Sequence, residues 1–145
     1  MLAALELARK AGEQGEIPVG AVVVVEDTII AQAHNEKELR QDATAHAELL
    51  ALQQAAGYTG RWRLSNAVLY TTLEPCAMCA GAMVNARLGR LVFAVRDLKA
   101  GAAGSVLDIV RTPGLNHQVQ VSSGILAEES SRLLQAFFAD LRRDG

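Results

Sequence analysis

The residues from Val19 to Val25 form an unbroken apolar run, Val-Gly-Ala-Val-Val-Val-Val, directly after Pro18. A strand with one wet face alternates polar and apolar residues, so a run without alternation reads as a central strand covered on both sides. That requirement points to helices above and below a sheet. Leu2, Leu5, Ala8 and Ala11 supply one such helix over residues 2 to 14, ended by Gly12 and Gly15, and it should cover a sheet face.

Glu26-Asp27 makes a tight turn into a returning antiparallel strand, Thr28 to Ala33, and His34-Asn35-Glu36-Lys37 reads as a polar loop. Asp42 or Thr44 is placed to cap a helix running to about Ala56 and closed by Gly57. Strands follow at Ala67 to Thr72 and Leu91 to Val95, with a helix to about Ala86 between them. Alternating strands and helices imply parallel pairs joined by crossovers, with ligands beyond the carboxyl ends of the strands. Residues 97 to 117 read as a long loop with at most one short helix near Val106 to Val110. A short strand at Gln118 to Val121 and a helix from about Leu126 to Leu141 finish the chain. At 145 residues and 15.4 kDa this is one domain, 1–145. With 4% aromatic residues, its core is built mainly from Ala, Val, Leu and Ile.

The chemistry concentrates in Thr71 to Met83, which ends a strand, opens a helix and holds both cysteines. Pro75 suits a first helical turn, and Cys76 and Cys79 follow three residues apart on one helical face. There the positive end of the helix favours thiolates. A C-x-x-C pair serves redox chemistry, half of a structural metal site, or part of a catalytic one. Redox use leaves His46-Ala47-Glu48 unexplained, and a structural site needs a fourth ligand, for which His34 is a candidate. His46, Cys76 and Cys79 make three ligands and keep one position for water, the catalytic zinc pattern. An ideal helix turns ~200° over two residues, so His46 and Glu48 converge only if they lie in its first turn.

Two cysteines in one C-x-x-C give no framework of spaced disulfides, which points to a reducing compartment. Charge appears early after Met1 and no apolar run reaches the ~20 residues of a membrane span, so a cytoplasmic protein with no membrane partner is expected. The net charge of −2 does not mark a nucleic-acid binder, but it is unevenly spread. Residues 1 to 86 hold 6 Lys/Arg against 10 Asp/Glu, and residues 87 to 145 hold 8 against 6. Arg87, Arg90, Arg96, Lys99 and Arg111 are candidates for phosphate contacts, or an ordinary solvated face.

His46-Ala47-Glu48 with Pro75-Cys76-Ala77-Met78-Cys79 matches the H-x-E and P-C-x-x-C signature of zinc nucleobase deaminases. The chain further resembles the bacterial tRNA-specific adenosine deaminases. The likeness runs through Ile17-Pro18-Val19-Gly20-Ala21-Val22, Asn35, Thr44 to Glu48, Thr72 to Met83, Arg96-Asp97 and Lys99 to Ser105. Asn116-His117 and Phe137-Phe138 also fit, whereas Ala43 stands where the family often has proline.

That resemblance implies an α/β protein with the three-layer α/β/α cytidine deaminase-like fold, a mixed five-stranded sheet flanked by helices. It implies one Zn2+ per protomer on His46, Cys76 and Cys79, with Glu48 as proton shuttle. Asn35 becomes the purine reader, Val19 and Ala47 line the pocket of a flipped base, and Asp97 meets ribose hydroxyls. The implied reaction converts adenosine to inosine at wobble position 34 of a tRNA, with the anticodon stem-loop as partner and a homodimer as the assembly. Deamination of a free base or nucleotide of guanine or cytidine type, and a catalytically silent zinc module that binds RNA, remain as alternatives.

Overall fold

The computed structural model describes residues 1–144. Its apolar run forms the strand β1 (Gly20–Val25), followed by β2 (Thr28–His34), β3 (Val68–Leu73), β4 (Arg90–Val95) and β5 (Gln120–Ser123). Among the described residues these five strands make one mixed sheet in the order β2-β1-β3-β4-β5. β1 is antiparallel to both neighbours, whereas β3, β4 and β5 are parallel. The β1–β2 hairpin needs only two turn residues. Glu26 and Asp27, at φ 49° and 63°, are both left-handed, the twist that suits a two-residue turn.

α1 (Leu2–Glu13) and α5 (Ala127–Asp144) pack against each other on one face of the sheet. α3 (Ala47–Thr59) and α4 (Ala77–Asn85) pack together on the other. Side chains alternate across the sheet accordingly. Ala21, Val23, Leu69, Leu91 and Phe93 join the larger core with α3 and α4, while Val22 and Val92 are buried outside that cluster. β1 is therefore covered on both faces over Gly20 to Val23, as its composition demands, and becomes partly exposed at Val24 and Val25.

α1 lies close enough to β1 to forbid a side chain at Gly20. A Cβ there would fall 2.0 Å from the Ala4 carbonyl oxygen and 2.7 Å from the Ala8 nitrogen. Both atoms are backbone, so relief requires moving the helix. Gly20→Ala is expected to destabilise the fold by about 2 kcal/mol or more, read as a lower urea midpoint; an unchanged midpoint would contradict this packing.

Several boundaries differ from the sequence reading. The second long helix starts at Ala47 instead of after Asp42 or Thr44, because the Asp42 carboxylate is occupied by the Thr44 N–H and hydroxyl, at 2.8 and 2.6 Å. It runs past Gly57 and stops at Gly60, whose φ of 72° ends the helix in the left-handed region. The stretch read as a loop after His34 contains a short helix, α2 (Lys37–Arg40). Its first turn is capped by the buried Glu16, which accepts the N–H groups of Glu38 and Leu39 at 3.0 and 2.7 Å. The long segment after β4 carries a bridge between Ala103 and Asp108 and a single turn of 3₁₀ helix, Ile109–Arg111.

Candidate active site

The starts of α3 and α4 meet beyond the carboxyl ends of β2, β3 and β4. His46 is the residue before α3, with extended backbone at φ −81° and ψ 146°, and Glu48 is the second helical residue. That extended link removes the ~200° divergence expected of two residues inside one helix. Cys76 holds the equivalent position before α4, at φ −73° and ψ 176°, and Cys79 is the third helical residue. Pro75 thus stands ahead of the helix and not in its first turn.

His46 Nδ1 lies 3.6 Å from Cys76 Sγ and 3.6 Å from Cys79 Sγ. The three donor atoms sit within 4.8 Å of one another. A tetrahedral ion with ordinary zinc bond lengths to nitrogen and sulfur needs N···S edges of about 3.6 Å. The donor set and its spacing therefore fit zinc. The neighbourhood also sets the protonation of the thiols. A hydrogen bond from Cys79 and contact with His46 pull Cys76 down to about 3. Cys79 is pushed up, because it keeps the shared proton beside that thiolate in a buried site.

Glu48 is 4% exposed. Burial pushes its carboxyl up to about 7, against the smaller opposing influence of its own backbone N–H and of His46. A carboxyl near neutrality can both take and give a proton at physiological pH. His46, Cys76 and Glu48 open onto a cavity of about 420 Å³. Cys79 is fully buried behind them.

Asn35 lines the same cavity and also fastens it. Its Oδ1 accepts the Ala47 N–H at 2.8 Å and its Nδ2 donates to the Ile17 carbonyl at 3.1 Å. One amide hydrogen and one lone pair remain for a ligand. Val19 lines the cavity, but Ala47 is fully buried and does not reach it; its backbone N–H is what Asn35 uses. Asp97 also reaches the cavity, with Oδ1 accepting from the Lys99 and Ala100 N–H groups at 3.0 and 3.1 Å. His34 faces a different hollow and is absent from the donor cluster, and His117 hydrogen-bonds the Leu88 carbonyl at 2.7 Å.

The opposite wall comes from α5, through Phe137, Phe138 and Leu141, the two rings meeting edge to face with centroids 5.5 Å apart. Their adjacency gave no hint of which surface they would face. A second hollow adjoins the first, shares Asp97 and Phe138 with it, and is flanked by Arg96, Lys99 and Arg142. The other basic candidates are engaged elsewhere. Arg87 bonds the Val84 carbonyl, Arg90 the Ser122 hydroxyl, and Arg111 the Asp108 carboxylate and Ala103 carbonyl. Two buried carboxylates also line the cavity, Glu16, which lies outside every motif of the sequence, and Glu74, which lies inside the Thr72 to Met83 match but receives no role from it.

Residues 1–142 match the MafB19-like deaminase family. Over 143 residues the chain is 47% identical to a tRNA-specific adenosine deaminase of Bacillus subtilis, covering 99% of this chain and 89% of that one. The chain belongs to the tRNA-specific adenosine deaminase family. A deaminase of the same description from Haemophilus influenzae is 48% identical over 142 residues, 97% of this chain and 82% of its own length. Among solved structures, one from a study of A-to-I editing by tRNA:A34 deaminases superposes with a TM-score of 0.89 at 42% identity, over 92% of this chain and 97% of that one. A guanine deaminase from Nitrosomonas europaea gives a TM-score of 0.76 at 29% identity, over 94% and 81%. The deaminase fold expected from the motifs is the fold observed.

Because Asn35 holds both the start of α3 and one side of this deaminase cavity, its loss should act twice. Asn35→Ala is expected to lower kcat/KM at least ~100-fold, with about 1–2 kcal/mol of lost stability from the released Ala47 and Ile17 partners. Kinetics together with urea unfolding check both parts; loss of stability alone would deny the amide a role at the base.

Proposed function

We propose that this chain is a zinc-dependent hydrolase that converts adenosine to inosine at wobble position 34 of tRNA, as a homodimer in the cytoplasm. The observation that carries the proposal is near full-length likeness to tRNA-specific adenosine deaminases together with the His46, Cys76 and Cys79 donor spacing. Among the described residues no helix is long and apolar enough to cross a membrane.

One zinc per protomer would be held by His46 Nδ1 and the two thiolates. Bound there, it supplies Lewis acidity that makes a water nucleophilic at neutral pH. Glu48 takes the first proton from the water and delivers it to the purine ring nitrogen, then takes the second from the hydroxyl added to the ring carbon and passes it to the departing amine, so that water and adenosine leave as inosine and ammonia. Asn35 offers its remaining donor and acceptor to the base edge, a pattern that suits adenine. Val19 backs the base, and Asp97 accepts from a ribose hydroxyl, which favours RNA. Arg96, Lys99 and Arg142 beside the cavity suit the phosphates of flanking nucleotides.

The test is incubation with a tRNA bearing adenosine at position 34, and separately with guanine and with cytidine. Inosine at position 34 is expected, with ammonia released in equal amount. Ammonia from guanine or cytidine with an untouched tRNA would overturn the proposal in favour of a free-base or nucleoside deaminase.

A further inference from the structure

We infer that Glu74 is a positioning residue for the substrate: it binds the loop from Asp97 to Ser105 to the turn that carries the cysteines, and so sets Asp97 at the cavity mouth. This rests on the tRNA reading above. Glu74 is 1% exposed, and among the described residues it forms no salt bridge. A buried carboxylate without a cation is costly unless hydrogen bonds satisfy it. Four donors do so, and all come from one loop. Oε1 accepts the Asp97 N–H at 3.0 Å and the Ser105 hydroxyl. Oε2 accepts the N–H groups of Ala103 at 3.0 Å and Ser105 at 3.1 Å.

The loop closes tightly over this carboxylate. A Cβ on Gly101 would lie 2.4 Å from Glu74 Cδ, and the Ala102 N–H donates to the Pro75 carbonyl at 2.8 Å. Glu74 itself donates its N–H to the Val95 carbonyl at 2.9 Å, joining the ends of β3 and β4. Cys76 is two residues away on the same turn. The carboxylate therefore ties the placement of Asp97 and Ala100 to the donors of the metal site. An aliphatic residue would fill the space but strand three backbone N–H groups, and glutamine would turn an NH2 toward N–H donors. The role belongs to an acceptor on both oxygens.

The experiment is a double-mutant cycle on the full-length zinc enzyme. Steady-state kinetics on a tRNA with adenosine at position 34 are measured for wild type, Glu74→Gln, Asp97→Ala and the double variant, with zinc content recorded for each. Glu74→Gln is expected to raise KM ~10-fold or more, with kcat within ~3-fold and zinc unchanged. If Glu74 acts through the placement of Asp97, the double variant loses no more than ~2-fold beyond the weaker of the two single variants. Unchanged kinetics in Glu74→Gln, losses that multiply in full, or loss of zinc would each overturn the role. Should Glu74→Gln fail to fold, Ser105→Ala, which removes one of the four donors, replaces it in the cycle under the same criteria. Wild type separates the two readings: no inosine from it sinks the tRNA proposal, whereas an active wild type with unchanged kinetics in Glu74→Gln sinks only the positioning role.

Discussion

Glu48→Ala is expected to reduce kcat by ~10³-fold or more while zinc stays at one per protomer. The size of the loss follows from the absence of a substitute. Three of the other carboxylates at the cavity are committed: Glu74 accepts four hydrogen bonds, Glu16 accepts two from α2, and Asp97 Oδ1 accepts two from its own turn. Glu38, which also lines the cavity, is an exposed residue of α2 and lacks the burial that raises Glu48. Zinc retention follows because Glu48 lies outside the donor cluster of His46, Cys76 and Cys79. Undiminished turnover would remove the proton shuttle from the mechanism, and zinc loss would make Glu48 part of the metal site.

The same side chain carries a cost in stability that depends on pH. Burial raises the Glu48 carboxyl from 4.5 to about 7, so its contribution to stability is fully present below about 4.5 and is lost as pH rises through about 7. Glu48→Gln imitates the neutral form at every pH. In protein stripped of zinc by a chelator, the variant is expected to melt together with wild type near pH 4.5 and above it at pH 8. A gap that narrows as pH rises would reverse the assigned sign.

The second large effect is expected from the metal donors. Cys79→Ala should abolish measurable activity, bring zinc below ~0.1 per protomer, and lower Tm by about 5 °C or more relative to the zinc-loaded wild type. Cys79 is fully buried against the core that includes Ala80, Met83 and Val84, so its replacement also opens a small cavity. Chelation of the wild type distinguishes the two causes. If zinc holds the starts of α3 and α4 together, a chelator lowers the wild-type Tm most of the way to that of Cys79→Ala and leaves the variant unmoved. A variant with full zinc and normal turnover would remove Cys79 from the ligand set.

Much of the site could be read from the chain because its chemistry is local. Cys76 and Cys79 are three apart, and His46 and Glu48 two apart, so each pair is placed by a single helix start. Asn35 was recognisable only by resemblance, since an asparagine after a strand ordinarily marks a turn. The assignment of Ala47 to the pocket wall did not hold as a side-chain contact, because the methyl group faces the core while the backbone N–H faces Asn35. Of the five basic residues after the cysteine helix, only Arg96 and Lys99 stand beside the cavity. Charge counts carry no direction, so they could not separate these from Arg87, Arg90 and Arg111.

By itself the sequence determined the layered α/β architecture, the hairpin at Glu26-Asp27, and the two short motifs, His46-Ala47-Glu48 and Cys76-Ala77-Met78-Cys79, that nominate the metal donors and their carboxylate. Each of these follows from apolar patterning or from residues a few positions apart, whereas the meeting of His46 with the cysteines, 30 and 33 residues away, belongs to the tertiary structure. Tertiary structure alone decided that α5 brings Phe137 and Phe138 to the cavity, that Glu16 and Glu74 are buried acceptors, and that helix capping starts at His46 and Cys76. The physical reason is sequence separation. Ser105 meets Glu74 across 31 residues and Leu39 meets Glu16 across 23, and a hydrogen bond spanning that distance exists only once the sheet has brought its partners together.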